Sequence, residues 1–203
     1  MKHIIVGITG ASGALIGERT VKALLDTGNR VDAIISPSGC EVFAEELGLN
    51  LGTSFSEIRK NLLKHYGNPK TLEVAPSDDF ASRVSSGSSS VDAMVIAPCS
   101  MSTAASIAHG ITTNLIHRAA SVSLKERRTL VLVPRESPMS SIHLENLLKL
   151  SQVGAFILPA TTAFYHKPKS VESMVDFTVG RVLDILKIKH KLFIRWRENS
   201  SAE

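Results

Sequence analysis

The sequence has few of the residues that mark secreted, membrane or nucleic-acid-binding proteins. Its two cysteines, Cys40 and Cys99, form no Cys-x-x-Cys pair, so we predict free thiols in a reducing compartment. No apolar run approaches the roughly 20 residues that span a bilayer. Aromatic residues make up only 5% and do not alternate with basic residues as in RNA-binding strands, although the net charge is +4. We therefore expect a cytoplasmic globular protein that spans no membrane and binds no nucleic acid.

The sequence also lacks metal-ligating residues at the spacing of known metal-binding motifs. The seven histidines are scattered, without an H-x-x-x-H or H-E-x-x-H pattern. The pair Asp78-Asp79 lacks the third carboxylate of the D-D-x-x-D motif that holds magnesium in diphosphate chemistry. We predict no metal site.

Short apolar runs rich in β-branched residues alternate with longer amphipathic stretches, as in buried strands connected by helices. The predicted strands are 3–8, 31–35, 94–97, 130–133 and 156–158. The predicted helices are 13–26, 55–66, 103–109, 115–124, 142–150 and 171–186. This alternation requires right-handed crossovers. It predicts an α/β fold with a single doubly wound, mostly parallel sheet and helices on both faces, in one domain over 1–203 with a flexible tail at about 197–203.

A glycine-rich turn, residues 7–13 (GITGASG), joins the first predicted strand to the first helix. Glycines let the backbone approach a ligand, and the helix N-terminus offers free N–H groups to a phosphate. Thr9 breaks the dinucleotide fingerprint G-x-G-x-x-G, and Ser36 stands where a ribose-binding carboxylate is expected. The turn therefore predicts a nucleotide or flavin site that is not a plain NAD site, with a turn required by packing alone as the alternative.

Hydroxyl-bearing and charged residues follow the other predicted strands. Ser100, Ser102 and Thr103 begin a helix, where they either cap it or bind a ligand. Cys99 has no histidine base nearby in the sequence, which disfavours a nucleophilic role. Arg135-Glu136 lies between two prolines at the end of a strand, a position that faces the ligand crevice of such sheets.

Further cations and a phenol are placed to meet an anionic ligand. Arg118 and Lys125 lie two turns apart on one helix, where surface salt bridging is the alternative interpretation. Tyr165 and Arg181 follow the last predicted strand. The serine-rich segment 82–90 is interpreted equally well as a mobile linker or as an active-site loop.

Six segments together resemble the UbiX-like flavin prenyltransferases, and the likeness extends from residue 4 to about 196. These segments are 7–14 (GITGASGA), 85–88 (SSGS), 98–100 (PCS), 124–128 (LKERR), 134–136 (PRE) and 164–166 (FYH). The resemblance implies a flavodoxin-like three-layer fold and a large homo-oligomer, commonly a dodecamer. It also implies metal-independent synthesis of prenylated FMN from reduced FMN and dimethylallyl monophosphate. The product would serve a UbiD-type decarboxylase, as in ubiquinone biosynthesis.

The resemblance also implies roles for individual residues. The residues expected to bind FMN are Gly10, Ala11, Ser12, Ser36, Ser100, Met101, Ser102, Thr103, Arg118 and Arg135. Those expected to bind the substrate phosphate, in place of magnesium, are Lys125, Arg135, Tyr165 and Arg181. The catalytic set consists of Ser12, Glu136, Lys125, Tyr165 and Arg181, with Glu136 as the proton carrier.

Two alternatives remain open at this point. The related FMN-dependent cysteine decarboxylases share the fold that the resemblance implies. Their Pro-Ala-Ser-Ala-Asn-Thr segment is replaced here by residues 98–103 (PCSMST), which lack the asparagine. A non-catalytic flavin carrier would keep the glycine turn without needing Lys125, Glu136 or Arg181. One departure from the family pattern is Pro37 after Ser36, which we expect to stiffen a loop.

Overall fold

The computed structural model describes residues 1–196 and confirms the doubly wound α/β architecture. One parallel sheet has the strand order β3-β2-β1-β4-β5-β6. The strands are β1 His3–Ile8, β2 Arg30–Ile35, β3 Leu72–Ala75, β4 Ala93–Cys99, β5 Thr129–Pro134 and β6 Phe156–Ile157. The strand order reverses between β1 and β4, so the crevice where such sheets bind ligands lies beyond the carboxyl ends of these two strands. The predicted flexible tail lies outside the described residues.

Helices cover both faces of the sheet. They are α1 Ala14–Asp26, α2 Pro37–Leu47, α3 Phe55–His65, α4 Met101–Ala108, α5 Leu115–Lys125, α6 Ser141–Gln152 and α7 Val171–Ile185. The apolar residues of α1, α2, α3 and α7 pack into one core cluster, and those of α4, α5 and α6 into a second cluster. The two clusters lie on opposite faces because side chains alternate along each strand. Within residues 1–196, no helix has the length and apolar character needed to cross a membrane.

Two elements, β3 and α2, are absent from the sequence-based prediction. β3 has four residues at the edge of the sheet, and its alternating burial differs from the continuous burial of the central strands. α2 begins with Pro37, Ser38 and Gly39, which are typical of a loop. Proline is nevertheless favoured at the first helical position, because it has no N–H to leave unpaired there. The expectation that Pro37 stiffens a loop is therefore wrong, because this residue starts a helix.

Helix α1 lies unusually close to the end of β4. A Cβ atom on Gly17 would stand 2.5 Å from the carbonyl oxygen of Ala97, so a glycine is required for this approach. The contact brings the start of α1, and with it the glycine-rich turn, over the carboxyl end of β4.

Candidate functional site

Three helices begin at the same edge of the sheet, directly after neighbouring strands. α1, α2 and α4 follow β1, β2 and β4, and their N-caps are Gly13, Ser36 and Ser100. The Ser36 hydroxyl accepts a hydrogen bond from the Gly39 N–H at 3.0 Å, and Ser100 accepts one from the Thr103 N–H at 3.2 Å. Each helix N-terminus carries a partial positive charge. Their convergence favours an anionic ligand at this edge.

Thr9 fastens the glycine-rich turn to the end of β4. Its hydroxyl donates to the Pro98 carbonyl at 2.8 Å and accepts the Ser100 N–H at 2.8 Å. The Ser36 N–H donates to the Ile8 carbonyl at 3.0 Å, which joins the start of α2 to the same turn. Thr9, which breaks the dinucleotide fingerprint, thus joins the glycine-rich turn to the start of α4, and the neighbouring Ile8 joins the turn to the start of α2.

A chain of hydroxyls lines the start of α4. The Ser100 Oγ lies 3.1 Å from the Ser102 Oγ and donates to the Thr103 Oγ1 at 3.0 Å. Met101, also predicted to bind FMN, has its side chain in the core with 6% exposure, so only its backbone can face a ligand. This part of the site consists of short hydroxyls and backbone amides.

A second pair of hydroxyls lies where the glycine-rich turn meets α2. The Ser36 and Ser38 Oγ atoms are 3.3 Å apart. A Cβ atom on Gly10 would stand 2.5 Å from the Ser38 side chain, so a larger residue at position 10 would push into the hydroxyls. The missing side chain of Gly10 therefore allows α2 to pack closely against the glycine-rich turn.

Glu46 is a site residue that sequence reasoning missed. Its carboxylate accepts the N–H groups of Gly13 at 2.9 Å and Ala14 at 2.8 Å, and a hydrogen bond from the Ser12 hydroxyl. Burial alone raises its pKa, but these hydrogen bonds and the charge of Arg135 outweigh burial and lower the pKa below its ordinary value. Glu46 lies on α2, which the sequence did not predict, so no periodic pattern marked it.

Arg135 and Glu136 follow β5 at the same edge. The Arg135 N–H donates to the Cys99 carbonyl at 3.4 Å, which places this exposed arginine beside the end of β4. The half-buried Glu136 accepts the N–H of its neighbour Ser137 at 3.0 Å. The carboxylate bonded to Ser12 is therefore that of Glu46, whereas Glu136 stays a predicted proton carrier.

Tyr165 belongs to an aromatic cluster that follows β6. The cluster starts from the same edge of the sheet, because the Ala160 N–H donates to the Pro134 carbonyl at 3.0 Å. The Tyr165 ring meets Phe177 edge-on at 6.0 Å and Trp196 edge-on at 5.1 Å. The phenol is partly exposed and its ring is held between α7 and the C-terminal segment.

Arg181 lies on α7, one helical turn beyond the Phe177 of this cluster. Its Nη1 donates to Asp184 at 3.0 Å. Tyr165 and Arg181 are thus both held at α7, and their phosphate-binding role stays a prediction.

Lys125 is separated from the other predicted phosphate ligands. It ends α5, whereas Arg181 lies on α7, and the two helices cover opposite faces of the sheet. α5 starts near the carboxyl end of β3, where the Leu115 N–H meets the Ser77 carbonyl, and runs back for about 16 Å toward the opposite edge. Arg118 is exposed on the same helix and is also apart from Arg181. A single chain therefore does not bring the predicted cations together.

The serine-rich segment folds back along α5. Arg83 donates to the buried Asp32 at 2.8 Å, and Arg128 donates to the carbonyls of Gly87 and, at 2.7 Å, Ser89. Gly87 lies against Lys125, whose Nζ would be 3.2 Å from a Cβ placed there. The segment is thus fixed at both ends and forms one surface with Lys125.

Cys99 is buried and Cys40 is half-buried, and both thiols are poorly acidic. Burial raises the pKa of Cys99 to about 12 and that of Cys40 to about 11. Because only the thiolate is nucleophilic, we expect neither cysteine to be alkylated by iodoacetamide at pH 7 in the native protein, and both to react in urea. Intact-mass measurement counts the adducts. Fast native labelling of Cys99 would contradict the burial that raises its pKa.

Among the residues 1–196, no group of three His, Cys, Asp or Glu side chains is placed to hold a metal ion. Metal independence stays a prediction. The cations named above are the groups available to meet negative charge.

Comparisons with known proteins agree with this arrangement. The family model "Flavoprotein" matches residues 1–191. The flavin prenyltransferase UbiX of Methanothermobacter thermautotrophicus is 47% identical over 196 residues, which cover 97% of this chain and 96% of the relative. Among solved structures, AnUbiX (PadA1) in complex with FMN and dimethylallyl pyrophosphate superimposes with a TM-score of 0.84 at 38% identity, covering 96% of this chain and 97% of that chain.

Two further structures bear on assembly and on the alternative function. A dodecameric FMN-dependent UbiX-like decarboxylase from Escherichia coli O157:H7 has a TM-score of 0.83 at 37% identity, covering 96% of this chain and 98% of the other. The FMN-dependent cysteine decarboxylase SpaF has a TM-score of 0.59 at 14% identity, covering 78% and 84%. The second likeness shows a common fold alone.

Proposed function

This chain belongs to the Flavoprotein family and is a flavin prenyltransferase of the UbiX type, and we propose that the edge formed by β1, β2, β4 and β5 is its active site. The enzyme transfers the dimethylallyl group of dimethylallyl monophosphate to reduced FMN. The observation that supports the assignment of the site is that α1, α2 and α4 begin at one edge of the sheet, directly after β1, β2 and β4, and that Arg135 follows β5 at the same edge. We further propose that the whole chain forms one FMN-binding domain.

The residues at this edge fit FMN. Backbone amides, short hydroxyls and one arginine suit a phosphate, a polyol chain and a ring edge. The residues that would hold FMN are Gly10, Ala11, Ser12, Ser36, Ser100, Met101, Ser102, Thr103 and Arg135. When bound, reduced FMN supplies the nucleophilic N5 and C6 positions that accept the five-carbon group.

The leaving phosphate is met by fixed donors. Arg135 directly follows β5, Tyr165 lies in the segment after β6, and Arg181 lies on α7, where it is bonded to Asp184. Guanidinium groups and a phenol that are already held in place stabilise developing negative charge without reorganisation. We propose that these three groups and Lys125 bind the monophosphate.

Ser12 and Glu46 form a path for a proton. The Ser12 hydroxyl donates to Glu46, so it can accept a proton from the substrates while it passes its own to the carboxylate. The lowered pKa of Glu46 keeps the carboxylate ionised and ready to accept. Glu136, half-buried beside Arg135, is the second candidate.

Lys125 reaches this site only from another copy of the chain, because it lies on the opposite face from Arg181. Leu144 and Leu148 are exposed and lie one turn apart on α6, which is typical of a surface that is covered in an assembly. The dodecameric neighbour supports a homo-oligomer. We propose that the surface of Gly87 and Lys125 completes the active site of an adjacent subunit.

We also propose a cytoplasmic location and a UbiD-type decarboxylase as the recipient of prenylated FMN. A modified cofactor that is released as a product needs an enzyme that uses it.

Anaerobic incubation with reduced FMN, dimethylallyl monophosphate and a chelator tests the function. We expect the flavin to gain one five-carbon unit by mass, and oxidised FMN to gain none. A flavin that stays bound but unchanged would indicate a carrier. Decarboxylation of a peptide with a C-terminal cysteine would instead indicate the cysteine decarboxylase activity.

A further inference from the structure

Three side chains converge on the carboxylate of Asp184 near the end of α7. Arg181 donates to it through Nη1 at 3.0 Å, and His190 lies 3.1 Å away through Nε2. Arg195 donates twice, through Nη2 at 2.6 Å and Nη1 at 3.2 Å. The Asp184 side chain is only 17% exposed. One partner is a predicted phosphate ligand, and the other two belong to the C-terminal segment, residues 188–196.

The hydrogen bonds of the His190 ring show which of its nitrogens donates to Asp184. Its Nδ1 accepts the Leu192 N–H at 3.2 Å, so Nε2 carries the proton and donates to Asp184. The His190 side chain is 2% exposed. A Cβ on Gly180 would stand 2.5 Å from the Phe193 ring, so the segment lies against α7 at a point that accepts only glycine. These contacts dock the C-terminal segment on α7.

The docked segment ends on the predicted active-site phenol. Phe193 packs against Phe177 at 4.9 Å, and the Arg195 guanidinium stacks over Phe193 at 5.5 Å. Trp196 then meets Tyr165 edge-on at 5.1 Å. A continuous path therefore leads from Asp184 through the segment to Tyr165, and directly from Asp184 to Arg181.

We propose that Asp184 is a positioning residue that orients Arg181 and docks the C-terminal segment, so that Arg181 and Tyr165 are set together for the substrate phosphate. This inference rests on the proposed phosphate-binding roles of Arg181 and Tyr165. Burial raises the pKa of Asp184, but the hydrogen bonds from Arg195 and His190 outweigh it and lower the pKa, so the carboxylate remains charged near neutral pH. The anchor is therefore permanent rather than switched by proton uptake.

The Asp184→Asn variant tests the proposal with two independent measurements on the full chain. Trp196 is the only tryptophan, so its fluorescence anisotropy in the FMN-free protein reports docking of the segment. We expect the anisotropy to fall. With FMN loaded, we expect KM for dimethylallyl monophosphate to rise about tenfold while kcat and the Kd for FMN stay within about twofold, because only substrate positioning is lost.

Asp176→Asn is the matched control on the same helix. Asp176 accepts two hydrogen bonds from Arg19, at 2.6 and 2.7 Å, and has no contact with the segment among the described residues. Its loss is expected to lower Tm and to leave both the anisotropy and KM unchanged. A purely structural Asp184 would behave in the same way as this control.

Unchanged anisotropy and KM in a folded Asp184→Asn protein overturn the proposal, as does a tenfold fall in kcat with KM constant. If this variant does not fold, Arg195→Gln replaces it, and retained anisotropy there overturns the docking role. The anisotropy measurement needs no turnover. If the anisotropy falls in Asp184→Asn but the parent protein makes no prenylated flavin, the docking role of Asp184 stands and only the proposed function is contradicted.

Discussion

Glu46→Gln is expected to lower the rate of prenyl transfer by about 10²- to 10³-fold, the range associated with loss of a general acid or base. The glutamine keeps the shape of the side chain and one oxygen that can accept the Gly13 and Ala14 N–H groups. It cannot accept the proton that Ser12 would pass on. Single-turnover flavin mass measures the rate, and the Kd for FMN is expected to change by less than about threefold.

The neighbouring Glu45→Gln is the control, because this exposed residue on α2 carries the same charge change without the contact to Ser12. Glu136→Gln decides between the two proton carriers. If Glu136→Gln lowers the rate of prenyl transfer more than Glu46→Gln does, the proton carrier is Glu136, as predicted from the sequence. Equal activity of Glu46→Gln and the parent protein would remove Glu46 from the mechanism.

Lys125→Met and Arg181→Met are each expected to lose about 100-fold in kcat/KM, because each removes a fixed charge from the phosphate site. Co-expression of the two variants is expected to restore activity. In a mixed oligomer with random neighbours, about one quarter of the sites combine an intact Arg181 with an intact Lys125 from another copy. Activity of affinity-purified mixed oligomers, carrying a different tag on each variant, measures this recovery.

Oligomers that combine two differently tagged Arg181→Met chains are the control and are expected to remain inactive. If mixed oligomers of Lys125→Met and Arg181→Met chains also stay inactive, the result contradicts a site shared between copies. The result does not depend on which subunit contact is used, since it requires only that the two residues come from different chains.

Local sequence patterns were enough to predict the strand, turn and helix that begin the candidate site. The predicted strand at 3–8 and the glycine-rich turn agree with β1 and the start of α1, because buried β-branched runs and glycines act through their nearest neighbours. β3 and α2 were missed, since a short edge strand and a helix that begins with proline and glycine carry little periodic signal. Glu46 was lost with α2, and its carboxylate is the one that contacts Ser12.

The amino-acid sequence by itself determined the doubly wound fold, the glycine-rich turn and the family, because these depend on residue types at fixed spacing. The tertiary structure alone decided which groups meet. It joined Thr9 to Ser100 across two strands and Glu46 to Ser12 across two helices. It also placed Lys125 and Arg181 on opposite faces, because α5 packs with α4 and α6 on one face of the sheet and α7 packs with α1 on the other. Whether these two charges meet therefore depends on how copies of the chain assemble, which the mixed oligomers test.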